Sequence, residues 1–286
     1  MIIILGAAGQ VGSAIINNLI EKGLPVKAVI RNQEKADELK KRGAEVAIAD
    51  YFDLDALKDA VKDGDLIFLL TPEKGTSDDV LGDTEKLLEN YYKAIEKSNI
   101  KSLIGLSSIG AQFDKGTGNL LMSNMLENKF SDLKIHKVFI RPAYYYSNWL
   151  MSLDMVKENG ILPSFYPIDL EFDMISPNDV AKFVADKIEN GIDQSELIEI
   201  VGPKKYSPNN IVNLMGEKLN KEVKAQEIPK TEWDGTMKSI GFSDDATKNF
   251  MEMTELVASG KAKPEGKGQN PISLDTTFEE YLNQLV

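Results

Sequence analysis

Three glycines separated by two residues each, Gly6, Gly9 and Gly12, follow directly on an apolar run, Ile2 to Leu5. They open a stretch in which Val11, Ala14, Ile15, Leu19 and Ile20 recur at helical spacing. A strand, a glycine turn and a helix in that order restrict the rest of the chain, because the helix must carry it back to a parallel neighbour of the first strand. Each glycine meets a mechanical need: one makes the tight turn, one lets backbone approach an anion, and one lets the helix pack close on the strand. The spacing is that of a dinucleotide fingerprint. It assigns Gly6, Ala8, Gly9, Gln10, Val11 and Gly12 to a turn whose free amides, at the positive end of a helix, receive a pyrophosphate. Gly23, just ahead of Pro25, marks the end of that helix.

The same rhythm continues. Val26 to Ile30, Val46 to Ala49, Leu66 to Leu70, Leu103 to Leu106 and Val138 to Ile140 read as further strands between amphipathic stretches. None alternates cleanly, as expected of strands covered on both faces. The predicted fold class is α/β: a Rossmann-type, doubly wound parallel sheet with a smaller C-terminal lobe. Residues 1–142 form the nucleotide-binding domain. Beyond Pro142 the pattern is irregular, proline-bearing, and glycine-rich between Gly260 and Pro271. Within it, 176–201 is expected to return to the main domain: Ser176-Pro177 is a helix start ahead of Val180, Ala181, Val184, Ala185 and Ile188, and Leu197 to Val201 reads as a strand. Residues 143–175 and 202–286 make up the lobe. There Ser207-Pro208 starts a helix through Ile211, Leu214, Met215 and Leu219. Thr276 and Glu279 are predicted to form a capping box ahead of Phe278, Tyr281, Leu282 and Leu285.

Which dinucleotide is bound turns on the end of the second strand. An NAD site would carry Asp or Glu there to accept hydrogen bonds from the ribose 2′-hydroxyl; this chain has Arg31-Asn32. A guanidinium cannot accept those bonds but grips a 2′-phosphate in a bidentate way, so NADP is the predicted cofactor; a merely solvated arginine is the alternative. After the third strand, Asp50 and Tyr51 are placed to meet the adenine, Asp50 at its amino group and the aromatic against the ring. Asp50 serves equally well as a cap for the helix beginning near Asp53. Thr71, Pro72, Ser107 and Ser108 follow the fourth and fifth strands, at the carboxyl ends where open α/β sheets bind ligands, and are expected to line the nicotinamide end.

A formal charge of -12 argues against nucleic acid or an anionic membrane as partner. The absence of cysteine removes thiol nucleophiles and thiolate metal sites and fits a reducing compartment, with cytoplasm the default. Met1 to Leu5 is too short for a signal core and no run is long enough to span a bilayer, so a soluble, unprocessed protein is expected. The single histidine, His136, stands between Lys134 and Lys137 without a partner ligand, which leaves a metal site unsupported. There is no Gly-x-Ser-x-Gly elbow for a serine hydrolase.

Taken together, Gly6 to Gly12, Arg31, Ala49 to Asp53, Ser107-Ser108 and Ile140-Arg141-Pro142-Ala143-Tyr144-Tyr145-Tyr146-Ser147-Asn148-Trp149 resemble the NmrA-like branch of the atypical short-chain dehydrogenase/reductase superfamily. That resemblance implies a member of a group containing NADPH-dependent quinone reductases and redox-sensing regulators. It also implies that Pro142 and Tyr144 pass close to the nicotinamide. The superfamily's usual Tyr-x-x-x-Lys pair, in which the ammonium lowers the phenol's pKa, would fall near Asn119 and Ser123, and neither residue can take that role. Glu127 matches an acidic position of the same helix and serves equally as a structural carboxylate. The three consecutive tyrosines either face a pocket mouth or pack sheet against lobe. Two functions are therefore expected: hydride transfer from NADPH to a quinone-like small-molecule acceptor, with Tyr144 or Ser107 as weak proton donor, or a non-catalytic NADP(H) sensor acting on a regulatory protein partner.

Overall fold

The computed structural model describes residues 1–266 and 270–284; Leu285 and part of the glycine-rich stretch lie outside the described residues. The first half runs β1 (Ile2–Ile4), α1 (Gln10–Glu21), β2 (Val26–Ile30), α2 (Ala36–Arg42), β3 (Glu45–Ile48), α3 (Leu54–Val61), β4 (Leu66–Leu70), α4 (Val80–Glu96), β5 (Ser102–Leu106), α5 (Leu120–Lys129) and β6 (His136–Pro142). There follow β7 (Tyr144–Tyr145), α6 (Ser147–Leu150), α7 (Leu153–Asn159), β8 (Ile161–Ser164), β9 (Phe172–Ile175), α8 (Pro177–Glu189) and β10 (Glu196–Val201). The chain closes with β11 (Lys205–Tyr206), α9 (Pro208–Leu219), β12 (Lys224–Glu227), α10 (Trp233–Ser239), α11 (Asp244–Ala258), β13 (Ile272–Ser273) and α12 (Phe278–Asn283).

Eight strands form one parallel sheet in the order β13-β10-β6-β5-β4-β1-β2-β3. The chain winds outward from β1 to β3, then crosses back to lay β4 on the other side of β1, creating a switch point beside the glycine turn. Alternate residues of β1 explain why its sequence is apolar throughout. Ile2 and Ile4 pack with Val11, Ile15 and Leu19 of α1 and Val180 and Val184 of α8, whereas Ile3 and Leu5 join Leu57, Leu88, Tyr91 and Leu126 beneath α3, α4 and α5. Gly23 ends the first helix in the left-handed conformation, with the amide of Leu24 reaching back to the carbonyl of Leu19. Ser176 caps α8 through the amides of Asn178 and Asp179, with Pro177 at the first position, and β10 pairs with β6. Within the stretch 202–286, β13 also joins this sheet, through Ile200 and Val201.

The lobe has its own core, in which Tyr146, Trp149, Leu162, Phe172, Met215 and Phe278 meet. Two caps differ from expectation. The box at α12 is formed by Thr277 and Glu280. Doublets at 276–277 and 279–280 satisfy the three-residue spacing in either register, and burial of Phe278 and Tyr281 selects the later one. Thr276 instead donates to Asp179 at 2.7 Å, and Glu279 accepts from Tyr206 at 2.6 Å. At α3 the cap is Asp53, whose carboxylate accepts from Asp55 and Ala56; Asp50 turns its carboxylate onto the amide of Phe52.

Candidate functional site

The turn after β1 is shaped by what glycine lacks. A Cβ on Gly12 would lie inside the van der Waals contact of the Gly6 carbonyl, and one on Gly6, itself at φ +67°, would strike Leu70. A Cβ on Gly9 would sit 3.2 Å from the Gly6 carbonyl oxygen. Gly9 caps α1 without a side-chain acceptor; its own amide bonds back to the Gly6 carbonyl at 2.9 Å, and within α1 the first amide bonded back onto the turn is that of Ser13, to Gly9 at 2.9 Å. The amides of Gln10, Val11 and Gly12 therefore stand ahead of the helix's own bonding and point to where an anion would lie. The side chain of Gln10 ties this turn to the lobe: it donates to the hydroxyl of Tyr281 at 3.3 Å and accepts from Ser147 at 3.0 Å.

Arg31 stands exposed at the end of β2, its charge reaching the hydroxyl of Tyr51. Sequence reasoning missed Lys35, whose ammonium donates to the Ala8 carbonyl at 3.1 Å and gives the turn a second cation. Its signal was the four-residue interval from Arg31. The aromatic placement differs from expectation. Tyr51 is buried under the turn, its hydroxyl accepting from the Gly6 amide at 2.5 Å and its ring edge-on to Tyr91, while Phe52 is the exposed ring beside Asp50. The third strand ends with alternate side chains inward, and the apolar space between β1 and α4 took the tyrosine. Burial raises the Tyr51 phenol above its ordinary value, against the opposing Gly6 hydrogen bond and Arg31 charge, so it stays protonated.

At the carboxyl ends of β4, β5 and β6 the side chains converge. Thr71 and Pro72 are half-buried just after β4, with the exposed Glu73 next to them. Ser107 is buried and its hydroxyl donates to Glu127, which removes it as a free proton donor. Glu127 in turn receives both edges of the Arg141 guanidinium, at 2.8 and 2.7 Å; Arg141 also reaches Glu265 at 2.9 Å and Glu199 at 3.5 Å. With Arg141 3% exposed, this is the ion-pair cluster whose loss would matter most, and it makes Glu127 a structural carboxylate. Glu199 also accepts from the backbone amides of Glu265 and Gly266, which straps the segment after α11 to the sheet.

Of the three tyrosines, Tyr146 is fully buried in the lobe core. Tyr144 is half-buried among Trp149, Tyr166 and Phe172, at ring separations of 5.4–5.7 Å. Burial pushes its phenol up to about 12, although hydrogen bonds with Tyr166 and Asn148 pull the other way. Tyr166, like Phe165 and Phe250 stacked edge-on beyond it at 5.2 Å, had no sequence signal. Asn119 stands at the head of α5, its amide on the carbonyl of Asn249 in α11 and its side chain hydrogen-bonded to Glu73. Glu73 is exposed; desolvation raises its carboxyl above the ordinary range, and the side chain of Asn119 opposes that rise. His136 is an exposed residue at the start of β6, remote from the cleft.

A profile of the NmrA-like family matches residues 1–282. The chain belongs to the NmrA-like family. Among curated members, an NAD(P)H azoreductase of Xenophilus azovorans is 23% identical over 260 residues, spanning 90% of this chain and 87% of its own. Quinone oxidoreductase 2 of Escherichia coli (strain K12) is 25% identical over 248 residues, 85% of this chain and 83% of its own. The NmrA-like fold is shared with the solved triphenylmethane reductase of Citrobacter sp. complexed with NADP(H), at a TM-score of 0.83 and 20% identity over 100% of this chain and 99% of that one. Among the described residues no helix is long and apolar enough to cross a membrane.

Proposed function

We propose that this NmrA-like protein is an oxidoreductase that moves a hydride from NADPH to a quinone or a similar electron-poor small molecule. The observation carrying this reading is the glycine turn at the uncapped head of α1, in one chain with the aromatic cluster of Tyr144, Trp149, Tyr166 and Phe172 that follows the end of β6. The amides of Gln10, Val11 and Gly12 would hold the pyrophosphate, and Gly6, Ala8 and Gly9 provide the clearance. Arg31 with Lys35 would take the 2′-phosphate, which favours NADP over NAD. Asp50 and Phe52 are placed for the adenine end, with Tyr51 supporting the turn from below. Thr71, Pro72, Pro142 and Tyr144 would border the nicotinamide, which supplies the hydride when bound. The lobe, 143–175 and 202–286 apart from β13, would roof the acceptor.

What the chain contributes is orientation and exclusion of water more than acid catalysis of the usual short-chain kind. Asn119 and Ser123 supply neither phenol nor ammonium, which suits an acceptor that takes a hydride readily. The cysteine-free composition suits a reducing compartment such as the cytoplasm. Relatives named as azoreductase and quinone oxidoreductase support the enzyme over the sensor. NADPH absorbance followed during addition of small quinones is the test: steady oxidation is expected, with NADPH bound at least tenfold more tightly than NADH by calorimetry. A tight NADPH complex inert to a broad quinone panel would sink this function.

A further inference from the structure

One side chain of the glycine turn belongs to two parts of the molecule at once. Gln10, the first residue of α1, is exposed, and its carboxamide reaches out of the turn to the lobe. Nε2 donates to the hydroxyl of Tyr281 at 3.3 Å, and Oε1 accepts from the hydroxyl of Ser147 at 3.0 Å. These partners lie 271 and 137 residues away along the chain. Each belongs to a different lobe helix, for Ser147 opens α6 and Tyr281 stands in α12.

Both partners lead on to the aromatic cluster after β6. Ser147 follows Tyr146 directly, and in the same short helix Trp149 sets its ring 5.7 Å from that of Tyr144. The ring of Tyr281, 2% exposed, packs 5.7 Å from that of Tyr146. From the far side the cluster is anchored on β9: the amide of Tyr146 donates to the Ile175 carbonyl at 3.0 Å, and the Trp149 indole to the sulfur of Met174 at 3.3 Å. Gln10 meets it from the turn. Attachment of the lobe has a separate tie, because Thr276, just ahead of α12, donates its amide at 3.0 Å and its hydroxyl at 2.7 Å to Asp179 of α8. The Gln10 bonds are therefore not what docks α12 on the main domain.

A bond from an exposed carboxamide competes with water, and its net worth depends on how firmly the donor is already held. An anion on the amides of Gln10, Val11 and Gly12 would fix the backbone from which that carboxamide springs. Less freedom is then lost in keeping it on Ser147 and Tyr281. We propose that Gln10 is a positioning residue whose carboxamide carries occupancy of the nucleotide turn to α6 and α12, and so firms the aromatic wall once the dinucleotide is seated. This inference rests on the dinucleotide reading above. Coupling of this kind is reciprocal, so holding Ser147 and Tyr281 in place strengthens nucleotide binding by the same factor. Two lobe hydroxyls thereby become part of the cofactor site without belonging to the turn.

Those hydroxyls can be removed without touching the turn. Hydrogen exchange on the full chain is expected to show the amides of α6 and α12 slowed by NADP in wild type. In Tyr281→Phe at saturating NADP the slowing in α12 should be lost while α1 stays protected, and Ser147→Ala should do the same at α6. By calorimetry, Tyr281→Phe is expected to weaken NADP about fivefold, the scale of one neutral hydrogen bond, and to have no further effect in a Gln10→Met background. A hydroxyl that merely braces the lobe would give losses that add in the double variant. Additive losses, an unchanged affinity in Tyr281→Phe, or α12 exchange indifferent to NADP in wild type overturns the proposal and leaves the function standing. If wild-type protein binds no NADP, the function falls and this proposal with it.

Discussion

At the glycine turn the cleft is made of backbone: three amides, three missing side chains and one helix end, all within Gly6 to Ser13. Past the ends of β4 to β6 it is made of side chains delivered by the loop after β4, the head of α5, β7 and the segment between β8 and β9, residues scattered from Thr71 to Tyr166. The two ends differ in what a substitution can do. A backbone site is damaged by adding atoms, because its specificity is clearance. A convergent side-chain site is damaged by removing them, because each group is held by another.

The largest effect should come from removal. Arg141→Leu leaves the largely buried carboxylates of Glu127 and Glu199 without this cation, and breaking a buried pair of this kind costs about 3–5 kcal/mol. Urea unfolding should show the midpoint falling accordingly; a loss below about 1 kcal/mol, the surface-pair scale, would mean the cluster is not a structural tie. Addition should act next most strongly at the other end. Gly12→Ala forces the Cβ into the Gly6 carbonyl, and strain of about 3 kcal/mol, the upper end for overpacking, corresponds to roughly 100-fold weaker NADPH binding. Calorimetry with near-normal affinity would show that the turn is softer than its contacts.

A pH titration probes the side-chain end without any substitution. The Tyr144 phenol ordinarily ionises near 10 but is pushed to about 12 in the fold. The stability it contributes is complete below pH 10 and is lost as pH rises from about 10 to about 12, at most about 3 kcal/mol in all. Urea midpoints should fall across that interval and less so in Tyr144→Phe; identical profiles would remove Tyr144 as the cause. The smallest effect belongs to the rim of the backbone site. Arg31→Ala should weaken NADPH about tenfold, one charge-assisted contact of roughly 1.4 kcal/mol, and leave NADH unchanged. Equal losses for both cofactors would assign Arg31 to the turn's stability instead of the 2′-phosphate.

The same difference explains what could be read from the sequence. The strands β1 to β6 and β10 and the glycine turn were legible because parallel strands and glycine turns impose local patterns: apolar runs of set length, and missing side chains at set intervals; the sheet order and β13 were not. The side-chain end was legible only at the strand ends, through Thr71, Pro72, Ser107, Pro142 and Tyr144, because convergence in space leaves no interval for the rest. Glu73 carries only the hint of following Thr71-Pro72, and Tyr166 carries none. Where local patterns were ambiguous, packing decided. Thr276 and Thr277 fit the cap equally until Phe278 is buried, and Tyr51 and Phe52 are both plausible faces for the adenine until the core beneath the turn takes one.

The two-residue strand β13 has a consequence for how the molecule behaves in a crowd. Without it, the six residues of β10 would offer a fully open row of backbone donors and acceptors at the sheet margin, a surface on which a second chain could add itself as another strand. Ile272 and Ser273 cover its final pairs, and Pro271 just before them has no amide hydrogen to extend the ladder. Farther along, the carboxylate of Glu199 is occupied by the amides of Glu265 and Gly266. A fragment of chain too short to be a stable strand by itself thus shortens the open margin of a large parallel sheet to the first four residues of β10 on that side.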